Sequence, residues 1–202
     1  MPAYVIYING WPGVGKLTVA RALQTLIHGS KVLHNHELID PVEKHCPRGS
    51  AWYQIKRGEY RRSRLKPIME DARLKDTVFI FTDSQTEYNE CVGDFTDLAL
   101  GEHGRRFYSV VLHCQEDENE RRLVMPGRGG GANGKLRDVE VLRQYRSRGG
   151  IYKFGDDDEV EVDITNVDAE MAARTIWEFV ARREKEGRSG MAWEEGEPDY
   201  DF

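Results

Sequence analysis

The stretch Asn9–Leu23, NGWPGVGKLTVARAL, holds Gly10, Gly15 and Lys16 at the spacing G-x-x-x-x-G-K, with a third glycine at Gly13. Glycines so placed let the backbone curl until successive N–H groups point inward at phosphate oxygens. Pro12 and Val14 complete the loop, and the segment that follows would add the positive end of a helix dipole. Lys16 would set its ammonium against the β- and γ-phosphates of a nucleoside triphosphate. Position 17 is the anomaly. A hydroxyl there would serve Mg2+, and Leu17 cannot coordinate a hard cation. Thr18 follows at once, able to reach the α-phosphate through its hydroxyl or backbone N–H. The competing reading is a glycine turn with a solvent-facing lysine. The setting decides between them, because an apolar strand precedes the loop directly and an amphipathic helix begins at its end.

Around this loop, five short apolar runs alternate with helical segments. The expected strands are Ala3–Ile8, Lys31–Leu33, Thr77–Thr82, Phe107–Cys114 and Glu159–Ile164. The expected helices are Leu17–Ile27, Trp52–Leu74 with a break near Pro67, Asn89–Glu102, Asp117–Val124, Val139–Arg146 and Ala169–Lys185. Strands alternating with helices call for a parallel sheet covered on both faces, and such sheets bind ligands beyond the carboxyl ends of their strands. With 202 residues the chain suits one domain over 1–186 and an acidic, disordered tail over 187–202. That tail carries one arginine against five carboxylates, four of the six net negative charges, so charge does not suggest a nucleic-acid surface. No apolar run suits a membrane span, the N-terminus lacks the pattern of a signal peptide, and three scattered cysteines fit reduced thiols in the cytoplasm.

The chain resembles the small P-loop kinases that phosphorylate metabolites: the nucleoside monophosphate, shikimate, gluconate and chloramphenicol kinases. More closely it resembles short P-loop proteins labelled AAA-type ATP-binding proteins. The resemblance rests on NGWPGVGKLT at 9–18, on NHELIDPV at 35–42, and on Arg122, Leu123, Pro126, Arg128, Lys135, Leu136 and Asp138. It spans Ala3 to about Arg183 and makes Leu17 a feature of the group. No arginine finger or second helical domain of ring ATPases is recognisable. The resemblance implies an α/β three-layer P-loop NTPase sandwich, a five-stranded parallel sheet with helices on both faces and a small arginine lid. It also implies ATP and Mg2+ as cofactors and a small-molecule acceptor as partner. A monomer or weak homodimer is expected, without membrane or nucleic acid.

In the metabolite kinases an aspartate pair after the second strand grips the acceptor. Here His34, Asn35, His36 and then Asp40 occupy that region. A histidine near its ordinary pKa of ~6.5 can take a hydroxyl proton at neutral pH, which makes His36 the first candidate base and Asp40 the second. The alternative makes His34 a strand end and Asp40 a turn residue before Pro41. Asp83, at the tip of FIFTDS, is the candidate to hold Mg2+ through water, against a plain turn-capping role. Arg57, Arg61 and Arg64 share a helical face, either a solvated row or a cover suited to an anionic acceptor. Arg122 and Arg128, around the glycine-rich run at 127–134, would neutralise the transferred group while a lid excludes water. Thr165 and Asn166 would lie nearest the adenine. The expected activity is transfer of the ATP γ-phosphate to a small hydroxyl or phosphate acceptor. Its rivals are a nucleotide-binding regulatory protein or weak ATPase, and a polynucleotide-end kinase, which the overall charge does not favour.

Overall fold

Alternation along the first strand, β1 (Tyr4–Gly10), determines the layering. Tyr4, Ile6 and Ile8 enter one apolar cluster, Val5 and Tyr7 enter another, and every residue of the strand is buried. A strand buried on both faces needs helices on both sides. The computed structural model describes residues 3–47, 49–88, 93–101, 104–126 and 135–194, with the side chains of residues 100 and 187–194 outside that description.

The elements in chain order are β1, α1 (Lys16–Leu26), β2 (Lys31–His34), α2 (Asn35–Glu43), α3 (Tyr53–Met69), β3 (Phe79–Thr82) and α4 (Gly93–Leu100). They continue with β4 (Arg106–His113), α5 (Glu116–Val124), α6 (Val139–Ser147), β5 (Glu159–Asp163) and α7 (Ala169–Glu194). All strand pairs are parallel, in the order β2-β3-β1-β4-β5. On one face α1 contributes Val19, Ala20 and Leu23, and α7 contributes Ala172, Ala173, Ile176 and Val180. On the other, α3 contributes Leu65 and Met69, and α4 contributes Phe95 and Ala99. Successive strands cross to either side of β1, which places the crevice of the switch point at its carboxyl end, where the glycine loop begins.

The five expected strands and the P-loop sandwich are present. Two local expectations are corrected. Segment 35–43 is helical in spite of Pro41, because burial of Leu38, Ile39 and Val42 outweighs the one backbone bond that proline removes. The expected break near Pro67 is present two residues beyond it, where α3 ends at Met69 before a separate 3-10 turn at Ala72–Leu74. Helix α7 continues to Glu194, so backbone of the expected tail is helical as far as that residue, and 195–202 lie outside the described residues. No helix among the described residues is long and apolar enough to cross a membrane.

Leu23 is fully buried between α1 and the sheet. Leu23→Ala is expected to lower stability by about 2–5 kcal/mol through the cavity it leaves. Urea unfolding should show a lower midpoint with an unchanged slope.

Candidate active site

The turn after β1 can be made only with glycine at two points. Gly10 has φ +153°, and a Cβ there would stand 2.5 Å from the Leu112 carbonyl oxygen. Gly13 has φ +93°, and a Cβ there would meet Asn119 Nδ2 at 2.9 Å and Leu123 Cδ1 at 3.1 Å. Val14, between Gly13 and Gly15, is buried in the cluster of α1 and α7 and anchors the loop from beneath. Gly15 is the N-cap of α1, and the first turn of that helix holds no acidic residue, so its positive end is not neutralised locally. Lys16 Nζ donates to the carbonyls of Gly10 (2.7 Å) and Trp11 (2.9 Å) and to Ser84 Oγ (2.8 Å). The ammonium thus lies across the loop mouth, where a phosphate oxygen can replace these neutral acceptors. Leu17 and Thr18 line the same cleft.

Two buried asparagines hold the loop. Asn9 Nδ2 donates to the carbonyls of Gln85 and Tyr152 (both 3.0 Å), while Oδ1 accepts from the N–H groups of Gly10 (2.9 Å) and Gln85 (2.8 Å). Asn119, on α5, donates to the Pro12 carbonyl (3.1 Å) and accepts from Arg146 of α6 (2.7 Å). The Arg146 guanidinium also covers the Trp11 ring at 5.9 Å. Arg122 reaches the carbonyls of Ile164 (2.8 Å), Thr165 (3.0 Å) and Val14 (3.4 Å), and its Nε is held by Glu118 at 2.5 Å. It therefore sits between the loop and the end of β5. Thr165 caps the turn after β5 by bonding Asp163, and neither it nor Asn166 lines the cleft.

At the opposite wall, His36 Nδ1 and Asp40 Oδ1 are 3.1 Å apart on successive turns of α2, with the two side chains about one quarter exposed. Burial pulls the His36 pKa below its ordinary 6.5, against the upward pull of the Asp40 hydrogen bond, so the neutral, proton-accepting form prevails at pH 7. His34 is turned to Glu37 instead, at 3.1 Å.

Asp83 is placed differently from expectation. It has no exposed surface, and its Oδ1 accepts from Arg57 Nη2 (2.9 Å) and the Ser84 N–H (2.8 Å). Its Oδ2 accepts from Gln85 Nε2 and lies 4.0 Å from Arg61 Nη2. Burial pushes the Asp83 pKa up, but the two arginine charges and these hydrogen bonds outweigh it, and the net shift is downward. The carboxylate is a counter-ion for arginines, not a group turned to a cation in the cleft. The arginine row divides accordingly, with Arg57 and Arg61 buried on the face of Leu65 and Arg64 exposed.

One cleft of about 820 Å3 joins these parts, lined by Gly13, Gly15 and Lys16 on one side, His36 and Arg57 on another, and Arg122 at the edge. A model of the AAA domain family matches residues 6–142. The chain belongs to the AAA domain family. No curated protein matches it. Among solved structures, this AAA-domain chain is similar to a sugar kinase from Janibacter sp. HTCC2649, with 16% identity, TM-score 0.62, and 89% and 95% of the two chains covered. It is also similar to a gluconokinase from Sinorhizobium meliloti 1021, with 18% identity, TM-score 0.58, and 96% and 98% covered. A third is the APS kinase of Mycobacterium tuberculosis in complex with AMPPNP and APS, with 13% identity, TM-score 0.56, and 89% and 98% covered. At such identities the likeness speaks for the fold.

The AAA-domain chain carries site features its motifs did not announce. Asn9 stands inside the recognised motif, whereas Asn119 could have been found only from its position one helical turn before Arg122. Ser84 and Arg57 enter through tertiary contact. Arg128 lies outside the described residues. The donors present do not fit a directly held Mg2+: Leu17 offers no oxygen, no Asp or Glu is among the described residues lining the cleft, and Asp83 is sealed. Among the described residues no group of three or more His, Cys, Asp or Glu could hold a metal ion.

Asp83→Asn is expected to cost about 3–5 kcal/mol in chemical denaturation, because Arg57 and Arg61 lose a buried counter-ion. Any loss of ATP affinity in that variant should be the same with Mg2+ and with excess EDTA. In the wild type, ATP titrations under the two conditions should agree within about tenfold, ~1.4 kcal/mol. A larger Mg2+ dependence would mean that a direct protein ligand exists.

Proposed function

We propose that this protein is an ATP-dependent phosphotransferase that moves the γ-phosphate of ATP to a small hydroxyl or phosphate acceptor. The observation that carries this reading is that a glycine-cradled lysine and a neutral, carboxylate-oriented histidine open into the same cleft. The triphosphate occupies the loop, held by the backbone N–H groups of Gly13 to Thr18 and by Lys16 once its ammonium leaves the carbonyls it now bonds. The adenine leaves the cleft at its Arg122 edge, toward Thr165 and Asn166, which lie beyond the lining. His36, oriented by Asp40, takes the acceptor proton as the oxygen attacks the γ-phosphorus. Arg122 and Arg128 neutralise charge on the group in flight. No step here depends on a protein-held metal. A second reading, a nucleotide-binding regulator or weak ATPase, draws on Leu17 and on the absence of a carboxylate from the described cleft lining.

Labelled γ-phosphate offered with a metabolite extract separates the two. A labelled product made by the wild type and not by Lys16→Ala, which should lose ATP binding, supports the phosphotransferase. Free phosphate alone, or bound ATP without turnover, supports the second reading. For the kinase, kcat/KM should fall on the acid side below about pH 6.5, since protonated His36 cannot accept a proton. His36→Gln should lower kcat by about 10²–10⁴-fold and remove that acid limb. An unchanged pH profile would take the base role from His36.

A further inference from the structure

Six lysines and arginines line the cleft, Lys16, Arg21, Arg57, Arg122, Lys135 and Arg148, with no Asp or Glu among the described lining residues. Lys16 and Arg122 belong to the glycine loop and its edge, where the triphosphate of the proposed function would lie. Three of the others enter the cleft lining from separate elements. Lys135, just before α6, is close enough for its charge to act on His36. Arg57, on α3, reaches Asn35 Oδ1, next in sequence to His36, at 3.3 Å. Arg148 follows α6 and adjoins Gly149, where a Cβ would stand 3.4 Å from the ring of Tyr88, another residue of the lining.

These cations are not used up by the protein. Lys135 and Arg148 form no ion pair among the described residues. Arg57 is nine-tenths buried, yet a single nitrogen, Nη2, serves both Asp83 and Asn35, while its Nε–H has no hydrogen-bond partner. Beneath it the buried guanidiniums of Arg57 and Arg61 are matched by Asp83 and Asp94, so the excess positive charge is that of the cleft lining itself. A concave wall with excess positive charge and low-dielectric sides concentrates anions. A phosphate or carboxylate would satisfy the guanidinium as well as the charge.

Resting on the phosphotransferase reading, we infer that the acceptor carries an anionic group of its own, a phosphate or carboxylate seated among Arg57, Lys135 and Arg148, in addition to the oxygen that faces His36. The same wall turns away neutral polyols and nucleosides, which leave its cations unpaired. Fixing the acceptor at a second point also orients its nucleophilic oxygen toward the γ-phosphate, so this subsite sets both selectivity and geometry.

The test uses the full-length protein saturated with AMPPNP, which fills the glycine loop, and inorganic phosphate as the probe in a calorimetric titration. Phosphate should bind at one further site, and more weakly as salt rises. The double variant Lys135→Ala/Arg148→Ala should weaken that binding by about tenfold or more. Arg57→Lys, which keeps the charge beside Asp83 but loses the fork, should weaken it as well. No phosphate binding to the AMPPNP-saturated protein, or binding indifferent to both variants, would overturn the inference and leave the nucleotide reading standing. Failure of AMPPNP itself to bind would instead remove the nucleotide reading, and this inference with it.

Discussion

A carboxylate without any contact to water survives in a fold only if positive charge and hydrogen-bond donors are brought to it, and Asp83 is such a carboxylate. Much of one half of the molecule follows from that demand. Helix α3 must present Arg57 and Arg61 inward on the same face as Leu65, so a strongly polar helix packs against the sheet. Helix α4 must bring Asp94 to Arg61 at 3.1 Å, and the Phe95 ring beside it receives the Arg61 guanidinium at 4.8 Å. Tyr7, below the cluster, has its phenol pKa pushed well above the ordinary value by burial and then by the Asp83 charge, so it stays neutral there. Removing any one charge would strand its partner in a medium that solvates it poorly.

The other half of the site is held by neutral groups. Asn9 satisfies four backbone groups at once and ties the loop to the exits of β3 and of the segment around Tyr152. Asn119 ties it to α5 and, through Arg146, to α6. The loop's conformation and the placement of α5 and α6 thus share one hydrogen-bond chain. The loop can therefore be held in shape before a nucleotide arrives, which lowers the ordering cost of binding.

The two halves meet at Ser84. Its N–H donates to Asp83 and its hydroxyl accepts from Lys16, so the buried ion cluster and the loop lysine are neighbours by one residue. The cleft wall that carries Arg57 is mechanically continuous with the glycine loop. That continuity accounts for a cleft rich in positive charge whose own counter-charge lies beneath its surface.

Short-range chemistry was readable from the chain alone. Gly10, Gly13, Gly15 and Lys16 specify a phosphate cradle because their backbone freedom and spacing act within a few residues, and the strand–helix alternation specifies a parallel sheet because burial on two faces leaves an apolar run for each strand. The pairing of His36 with Asp40 also lay within reach, since one helical turn separates them, though Pro41 hid the helix that makes the turn. The charge states of the site were not readable in this way. Asp83 and Arg57 stand 26 residues apart, and whether a carboxylate at a strand tip meets a cation or an arginine depends on which helix face the tertiary fold turns toward it. Arginines 57, 61 and 64 look alike in a row, but the sheet buries two and leaves the third in water. Sequence spacing carries information about neighbours along an element. Desolvation is set by what packs against that element, and the fold alone decided it.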